Sequence, residues 1–261
     1  MTLIRSISGI RGTIGGAPGE GLTPLDIVRY TAAFGTLMKR TTTGERPRMV
    51  LGRDARLSGG MVRDLVCGTL CGLGYDVIDL GLATTPTVEL AVPGEKAAGG
   101  IILTASHNPA QWNALKLLNA KGEFISAAEG AEVLRMGEAD NYTFAEVEQL
   151  GSVRTVEGWT RKHIDMLLAL DLVDVAAIKK ARFKVVVDAV NSVGGVVVPE
   201  LLKALGVEEV IAIHCTPDGR FPHNPEPLPE HLQDLCSTVV KHNAHLGLAV
   251  DPDVDRLALV C

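Results

Sequence analysis

The chain has 261 residues, 46% of them hydrophobic, which is enough apolar material to bury a core in about two domains. Its formal net charge of -6, with no block of lysine or arginine, argues against a nucleic-acid-binding surface. The N-terminus lacks the apolar segment of a signal peptide, and no apolar run is long enough to span a bilayer. Five scattered cysteines are typical of reduced thiols, so we expect a cytoplasmic protein without membrane or nucleic-acid partners.

Short apolar runs alternate with helical patterns in the first part of the chain. We predict strands at 49–51, 75–80 and 100–103, helices at 59–73, 87–91 and 127–136, and a hairpin formed by 114–118 and 121–125. Ser58 is the expected N-cap of the first of these helices. From about 137 to 156 the periodicity weakens and polar residues dominate, so this segment is predicted to be a linker. The predicted domains are therefore 1–152 and 153–261.

The second part of the chain shows the same alternation. We predict helices at 159–170, 199–205 and 230–241, strands at 183–188, 209–214 and 246–250, and a proline-rich loop at 216–229. Near-continuous apolar strands between helices indicate an α/β protein with mixed, mostly parallel sheets. Residues 70–80 resemble residues 202–212 in their order of helix end, glycine and strand, which favours two related halves.

A serine, a histidine and an asparagine stand in a row directly after the predicted strand 100–103. In the segment Thr104-Ala-Ser-His-Asn-Pro109, the serine can be an ordinary turn residue. It can do chemistry only if the fold brings a base, a cation or a metal to it. The rest of the sequence therefore has to provide that partner.

The segment Asp251-Pro-Asp-Val-Asp-Arg256 follows the last predicted strand in the same way. Carboxylates at alternate positions of an extended segment lie on one face, ~7 Å apart, and slight curvature lets them converge on one cation. Three unpaired acids at that distance would repel each other, so we expect a metal ion there. All-oxygen ligands favour Mg²⁺ or Mn²⁺ over zinc.

The acidic segment has three other possible interpretations. A solvated acidic turn is the plainest alternative. A phosphatase of the haloacid dehalogenase type also places D-x-D after a strand, with the first Asp as nucleophile, but Val254 and Asp255 follow here. An EF-hand loop requires glycine where Arg256 stands. No phosphate-binding G-x-x-x-x-G-K-[ST] is present, nor a G-x-G-x-x-G after a strand, so nucleotide binding has no support.

Taken together and in order, four motifs resemble those of the α-D-phosphohexomutase family. They are Ser8-Gly-Ile-Arg-Gly12, Gly52-Arg-Asp-Ala-Arg56, the TASHNP segment with Asn113 and Lys116 downstream, and D-x-D-x-D-R. Phe221-Pro-His-Asn-Pro-Glu-Pro227 resembles that family's proline-rich segment. The family comprises phosphoglucomutases, phosphomannomutases and phosphoglucosamine mutases. The resemblance departs at Ala114, Pro252 and Val254, where the family has or prefers glycine.

The resemblance implies two related three-layer domains, the first half of a four-domain phosphohexomutase, with domains 3 and 4 absent from this chain. We therefore expect an N-terminal fragment that turns over sugar phosphate poorly or not at all. In the whole enzyme, a phosphoryl group would move between the C1 and C6 hydroxyls of a hexose or hexosamine phosphate, through a phosphoserine and a 1,6-bisphosphate. The alternatives are a metal-dependent sugar-phosphate phosphatase, with Ser106 or Asp251 as nucleophile, and a non-catalytic phosphosugar-binding fragment.

The resemblance also implies a role for each site residue. Ser106 would carry the phosphoryl group, and Mg²⁺ would be held by Ser106, Asp251, Asp253 and Asp255. Lys116 would be a general acid/base with a lowered pKa, and His107 would assist proton transfer. The phosphoryl group and the substrate would be bound by Arg11, Arg256 and Asn108. Arg53 and Arg56 are interpreted as domain-packing residues outside the site.

Overall fold

Two β-sheets, one in each half of the chain, organise the computed structural model, which describes residues 1–6, 9–40 and 46–261. The elements of the first half are β1 (Leu3–Ser6), β2 (Gly9–Thr13), α1 (Pro24–Lys39), β3 (Arg48–Arg53), α2 (Gly59–Gly72), β4 (Asp76–Leu82), α3 (Thr85–Gly94), β5 (Gly99–Leu103), β6 (Trp112–Leu118), α4 (Ala127–Glu138) and β7 (Val153–Thr155). In the second half they are α5 (Trp159–Leu168), α6 (Val175–Ala181), β8 (Lys184–Asp188), α7 (Gly194–Ala204), β9 (Glu209–Ile213), α8 (Gln233–His242), β10 (Leu246–Val250) and β11 (Leu257–Val260).

The first sheet has the strand order β1-β2-β6-β5-β3-β4-β7. Strands β5, β3, β4 and β7 run parallel, and β6, β2 and β1 add to them in antiparallel fashion. Helices α1, α2 and α4 cover one face with a large apolar core, and α3 covers the other. This arrangement places the carboxyl ends of β3 and β5 at the same edge of the sheet, where ligands bind in α/β folds.

The second sheet has the order β11-β10-β8-β9, with β10, β8 and β9 parallel and β11 antiparallel. Helix α7 packs on one face through Val198 and Leu202, and α8 packs on the other through Leu235 and Val239. Each half is thus a helix–sheet–helix sandwich, and the predicted fold of two three-layer α/β domains is confirmed. In the described part of the chain, every helix is too short or too polar to cross a membrane.

The internal similarity seen in the sequence corresponds to a repeated helix end. Gly74 has φ +86° and Gly206 has φ +87°. Both are in the left-handed conformation that terminates helices. After α2, the amide of Tyr75 donates to Leu70 O, and after α7 the amide of Val207 donates to Leu202 O, each at 3.0 Å. The same backbone stop therefore leads into β4 and into β9.

Two predictions for the first half are wrong. The segment 121–125 is not a strand but a turn with one isolated bridge, because the Asn119 side chain accepts the amides of Lys121 and Glu123. Residues 137–156 are not a free linker: the amide of Gly151 donates to Cys71 O, and β7 pairs with β4. The first sheet therefore extends to Thr155, and the division at 152 stays a prediction.

Other differences concern elements that were not predicted or that begin at another residue. The elements β1, β2, α1, α6 and β11 were not predicted, and α7 begins at Gly194 with Pro199 inside it. Helix α8 begins at Gln233 after a 3-10 turn. Ser58 makes no capping hydrogen bond; its hydroxyl instead accepts a 2.9 Å bond from Asn113 Nδ2.

Helix α5 joins the two halves. Trp159 is 6% exposed and packs in the core between the first sheet and α3, and its Nε1 donates to Glu95 Oε1 at 3.0 Å. His163 Nδ1 lies 2.9 Å from Thr87 Oγ1 on α3. An apolar side chain and a polar contact therefore hold the start of the second half against the first.

A buried tyrosine in the first core offers a test of the packing. Tyr75 is fully buried and donates a 2.7 Å bond to Gly35 O, and burial raises its pKa. A Tyr75→Phe variant leaves that carbonyl without its donor, and we expect a loss of about 1 kcal/mol in unfolding free energy. Denaturant unfolding measures it, with Tyr142→Phe as control, because the Tyr142 hydroxyl bonds at the exposed surface. Equal losses in both variants would contradict the role assigned to Tyr75.

Candidate active site

The serine loop begins where the fully buried strand β5 ends. Thr104 is buried, and its Oγ1 accepts a 2.9 Å bond from the amide of Ser106. Ser106 has φ +51°, a left-handed conformation that is uncommon for residues other than glycine. The side-chain oxygen of Thr104 therefore helps to hold Ser106 in a conformation that a free loop would rarely adopt.

Arg56 lies beneath this loop and supports it. Its side chain is fully buried, and Nε donates to Asp54 Oδ2 at 2.9 Å. Its two terminal nitrogens donate to four backbone carbonyls of the serine loop and the start of β6, those of Ser106, Asn108, Pro109 and Trp112. Arg56 is thus a positioning residue for the serine loop. The guanidinium suits this task because it presents five donors in a rigid plane. The guanidinium also lies over the ring of Phe221 in the second half, 5.1 Å from the ring centroid, in keeping with the interpretation of Arg56 as a domain-packing residue.

The acidic loop follows β10 as a turn, so the predicted extended segment is wrong. The amide of Val254 donates to Asp251 O, and Val254 has φ +63°. The amides of Asp255 and Arg256 both donate to Asp251 Oδ1, at 3.1 and 3.2 Å. The chain therefore folds back around Asp251, and this curvature, rather than strand geometry, brings the three carboxylates together.

The serine loop and the acidic loop meet between the two halves of the chain. Ser106 Oγ lies 2.8 Å from Asp251 Oδ2 and 3.4 Å from Asp255 Oδ1. One oxygen from each of Asp251, Asp253 and Asp255 lies within 4.8 Å of the others. A hydroxyl nucleophile and a candidate metal-binding group therefore share one position in space.

The acidic group fits a hard divalent cation. Asp253 is fully buried, and its Oδ1 has no hydrogen-bond partner among the described residues, which is costly unless an ion or a water binds there. Burial and the neighbouring charges of Asp253 and Asp255 raise the pKa of Asp251 to about 8. Oxygen-only ligands and crowded negative charge are what Mg²⁺ or Mn²⁺ sites require.

Lys116 projects from β6 into the same group. Its Nζ lies 2.7 Å from Asp253 Oδ2 and 3.0 Å from Asp255 Oδ2. Burial opposes the charge on Lys116, but the two carboxylates outweigh it, so its pKa is raised. The predicted lowered pKa is therefore wrong for this arrangement, in which Lys116 is a charged ammonium. The same pairing lowers the pKa of Asp253 against the effect of its burial.

A cleft of about 260 Å³ opens above these groups. Its lining includes Arg11, Ser106, His107, Asn108, Lys116 and Arg256, so the structure brings together the predicted residues of both halves. Ser8, at the start of the motif that carries Arg11, lies outside the described residues. Three cationic side chains at the mouth of an acidic protein's cleft provide a local site for an anionic ligand.

Asn108 and His107, both in the serine loop, have different contacts. Asn108 Nδ2 donates to Ala105 O at 2.8 Å, so its side chain shapes the loop. His107 Nδ1 lies 3.4 Å from Ser106 Oγ, and burial, with the charge of Arg256, lowers the pKa of His107. His107 is therefore a neutral ring beside the serine hydroxyl at pH 7.

Two residues that were not predicted from the sequence complete the site. Thr85, at the start of α3, donates its hydroxyl to Asp253 Oδ2 at 2.5 Å and its amide to Asp253 O at 2.9 Å. Glu226, in the proline-rich loop, pairs with Arg256 Nη1 at 3.1 Å. In the sequence, Thr85 is part of a helix start and Glu226 is an acid in a loop. The only signal for either was that Glu226 lies in the proline-rich segment 221–227, which resembles a segment of the family.

The fold and this site define a class of α/β proteins. Its members have two helix–sheet–helix units, with a cleft between them that contains a serine and a group of aspartates. The family model described as "Phosphoglucomutase/phosphomannomutase, alpha/beta/alpha domain I" matches residues 3–142, and that of domain II matches residues 161–261. The chain therefore belongs to the phosphoglucomutase/phosphomannomutase family, and the predicted membership in the α-D-phosphohexomutases is confirmed.

Individual relatives agree with the family models. The chain is 38% identical over 252 residues to a phosphoglucomutase/phosphomannomutase of Thermococcus kodakarensis, covering 95% of this chain and 54% of that protein. It is 38% identical over 216 residues to a phosphomannomutase/phosphoglucomutase of Pseudomonas putida, covering 82% and 44%. A crystal structure of a family protein from Burkholderia thailandensis superposes with a TM-score of 0.82 at 28% identity, covering 99% and 55%. The chain thus spans about half the length of these relatives.

Proposed function

We propose that this chain carries the phosphoserine and metal-binding half of a phosphohexomutase, a phosphoglucomutase/phosphomannomutase or a phosphoglucosamine mutase. The substrate would be a hexose or hexosamine phosphate with its 1,6-bisphosphate. The observation that carries the proposal is the 2.8 Å approach of Ser106 Oγ to Asp251 Oδ2 inside a cleft lined by Arg11, Lys116 and Arg256. The five cysteines are free thiols, and we propose a cytoplasmic location in keeping with them.

The phosphoryl group is transferred in two steps. Phosphorylated Ser106 gives its phosphoryl group to a sugar hydroxyl: the bond from phosphorus to Oγ breaks and Oγ takes up a proton, while a bond to the sugar oxygen forms and the hydroxyl proton passes to a base. The bisphosphate then returns its other phosphoryl group to Oγ: Oγ gives up its proton as it attacks, the bond from that phosphorus to the sugar oxygen breaks, and the sugar oxygen released takes up a proton. Such transfers depend mainly on positioning and charge stabilisation, which a strained serine loop fixed by Arg56 favours.

The chain's own residues suit the proton and charge requirements of these steps. Lys116 Nζ must first lose its proton; we propose that it then accepts the proton of the attacking hydroxyl in the first step and gives it to the sugar oxygen released in the second. Arg11 and Arg256 would bind the phosphoryl oxygens, Arg256 exchanging its contact with Glu226 for the substrate. His107, neutral beside Ser106 Oγ, is the alternative proton acceptor.

We propose Mg²⁺ as the ion of this site. Asp251, Asp253 and Asp255 would hold it, with Ser106 completing the ligand set, and its charge would offset the negative charge of the phosphoryl group during transfer. The unpartnered Asp253 Oδ1 and the raised pKa of Asp251 support this choice. Lys116 would then lose part of the attraction of its two carboxylates, which would bring its pKa down toward the range of a working acid/base.

Phosphorylation of Ser106 tests the proposal. Incubated with glucose 1,6-bisphosphate and Mg²⁺, the chain is expected to gain the mass of one phosphoryl group, with the modified residue located by peptide mass spectrometry. Ser106→Ala is expected to gain none, and Ser237→Ala, an exposed serine on α8, to behave as wild type. Phosphorylation without isomerisation of glucose 1-phosphate is expected of this chain by itself.

Other outcomes identify the alternatives. Net release of inorganic phosphate would indicate the phosphatase, and its persistence in Ser106→Ala with loss in Asp251→Asn would identify Asp251 as the nucleophile. A chain that binds the bisphosphate but accepts no phosphoryl group would be a non-catalytic binding fragment. Either result would contradict the mutase proposal.

A further inference from the structure

A second cluster of metal-ligating side chains lies in the second half, apart from the serine and acidic loops. Asp188 is the last residue of β8, His214 follows β9, and His223 lies in the proline-rich loop 216–229. The carboxyl ends of these parallel strands form the edge where α/β sheets bind ligands. The Asp188 side chain is 1% exposed, and those of His214 and His223 are 22% and 19% exposed. The cluster is therefore built into the fold but reachable from solvent.

The geometry of the cluster is that of a ligand set. Asp188 Oδ2 lies 3.0 Å from His214 Nδ1 and 3.0 Å from His223 Nε2, and the three ligand atoms lie within 4.8 Å of one another. Ligands about 2.0–2.1 Å from a tetrahedral metal ion are about 3.3 Å apart. An ion could therefore be accommodated with only small side-chain movements.

The outer contacts of both histidines orient these nitrogens toward a cation. His223 Nδ1 lies 2.8 Å from the carbonyl of Asn224, so Nδ1 is the donor to that carbonyl and Nε2 faces the Asp188 carboxylate. His214 Nε2 lies 3.5 Å from Asp234 Oδ2. A carbonyl on one ring and a carboxylate on the other are the outer partners that metal-ligating histidines have.

The Asp188 carboxylate is oriented by a hydrogen bond from a backbone amide. Asp188 Oδ1 accepts a 3.0 Å bond from the amide of Val190, which leaves Oδ2 to face both rings. A neutral imidazole lone pair and a carboxylate oxygen 3.0 Å apart repel each other unless a proton or a cation lies between them. The set of two imidazoles and one carboxylate is one that zinc and similar transition metals prefer.

We propose that Asp188, His214 and His223 form a second metal site, which binds Zn²⁺ or a similar transition-metal ion through two nitrogens and one oxygen. It differs in chemistry from the all-oxygen group of Asp251, Asp253 and Asp255, so the two sites select different ions. A fourth position is left for water, as in zinc sites with three protein ligands.

Occupancy of this site has a structural consequence for the cleft. His223 belongs to the loop that also carries Glu226, and Glu226 Oε1 lies 3.1 Å from Arg256 Nη1 and 4.0 Å from His107 Nε2. An ion shared by His223 and the sheet residues Asp188 and His214 therefore fixes the loop that forms one wall of the cleft. This consequence rests on the proposed function, whereas the metal site itself does not.

Titration with Co²⁺ in the presence of excess Mg²⁺ tests the site, because Mg²⁺ occupies the oxygen-only group. One equivalent of Co²⁺ is expected to produce the strong visible absorption of a four-coordinate ion with nitrogen ligands, and Zn²⁺ to abolish it. His214→Gln and His223→Gln are each expected to weaken Co²⁺ binding by about 100-fold or more. His242→Gln on α8 is the matched control, and Ser106→Ala, which removes the phosphoryl acceptor, is expected to bind Co²⁺ as wild type.

The proposal is overturned if wild type shows only the weak absorption of a six-coordinate ion, or if both histidine variants bind Co²⁺ as wild type does. Should the variants fail to fold, imidazole NMR spectra of wild type decide. Zn²⁺ is expected to shift two histidine ring signals and leave the other five unchanged, in agreement with the seven histidines of the chain. Shifts distributed over other histidines would refute the site. Failure of Ser106 to be phosphorylated would leave these results unaffected.

Discussion

An Arg56→Met variant is expected to lose about 3–5 kcal/mol of unfolding free energy, because it breaks a buried ion pair by removing one partner. Methionine fills a similar volume but donates no hydrogen bond. The Asp54 carboxylate, with no exposed surface, loses its guanidinium, and burial already raises the pKa of Asp54 against the attraction of Arg56. Four backbone carbonyls of the serine loop and β6 also lose their donors. Denaturant unfolding at pH 7 measures the loss.

Arg53→Met is the matched control for this prediction. Arg53 stands in the same motif, but its guanidinium is half-exposed and donates to Asp54 O at 3.1 Å; we expect a loss of about 1 kcal/mol. Adding Asp54→Asn to Arg56→Met is expected to recover part of the stability, since the uncompensated carboxylate disappears. Arg56→Met is also expected to slow phosphorylation of Ser106. An Arg56→Met protein as stable as Arg53→Met would refute the supporting role assigned to Arg56.

The second large effect concerns pH and the acidic group. The folded chain keeps a proton on Asp251 up to about pH 8, whereas the unfolded chain releases it near pH 4. The folded state thus binds more protons between these values. The stability contributed by this proton is complete below about pH 4, is lost progressively as pH rises, and levels off above about pH 8.

Asp253 acts in the opposite direction, but at lower pH. Its lowered pKa adds stability above about pH 4 that is lost only as pH falls below that value. Between pH 5 and pH 8 the Asp251 term therefore sets the difference between wild type and Asp251→Asn. Without divalent cation, wild type is expected to lose stability across this range relative to the variant.

Unfolding curves at pH 5, 6, 7 and 8, with EDTA or with Mg²⁺, measure this difference. Mg²⁺ is expected to stabilise wild type most at pH 8, where it replaces the proton, and to have little effect on Asp251→Asn. Asp165→Asn, which removes an exposed helix partner of Arg161, is the control and should follow wild type. Parallel curves for wild type and Asp251→Asn at every pH would contradict the coupling of this carboxyl to its neighbours.

The alternation of strands and helices, and the two loops that form the candidate site, could be predicted from the amino-acid sequence. Both follow from local patterns: apolar runs such as β5 and β10 are contiguous, and TASHNP and D-x-D-x-D-R are continuous segments placed at strand ends. Membership of the family could be read for the same reason, because its motifs are short and ordered along the chain.

The contacts between these segments form only in the folded chain and could not be predicted from it as a linear sequence. The pairing of Lys116 with Asp253 joins residues 137 positions apart, and it reverses the direction predicted for the pKa of Lys116. Arg56 became a support for the serine loop because its guanidinium is buried under that loop. The strands β1 and β11 were missed because they are short edge strands of four residues, each paired on one side only. Charge, burial and strand pairing depend on neighbours in space. A sequence motif therefore identifies the residues of the site but not the residues that each of them contacts.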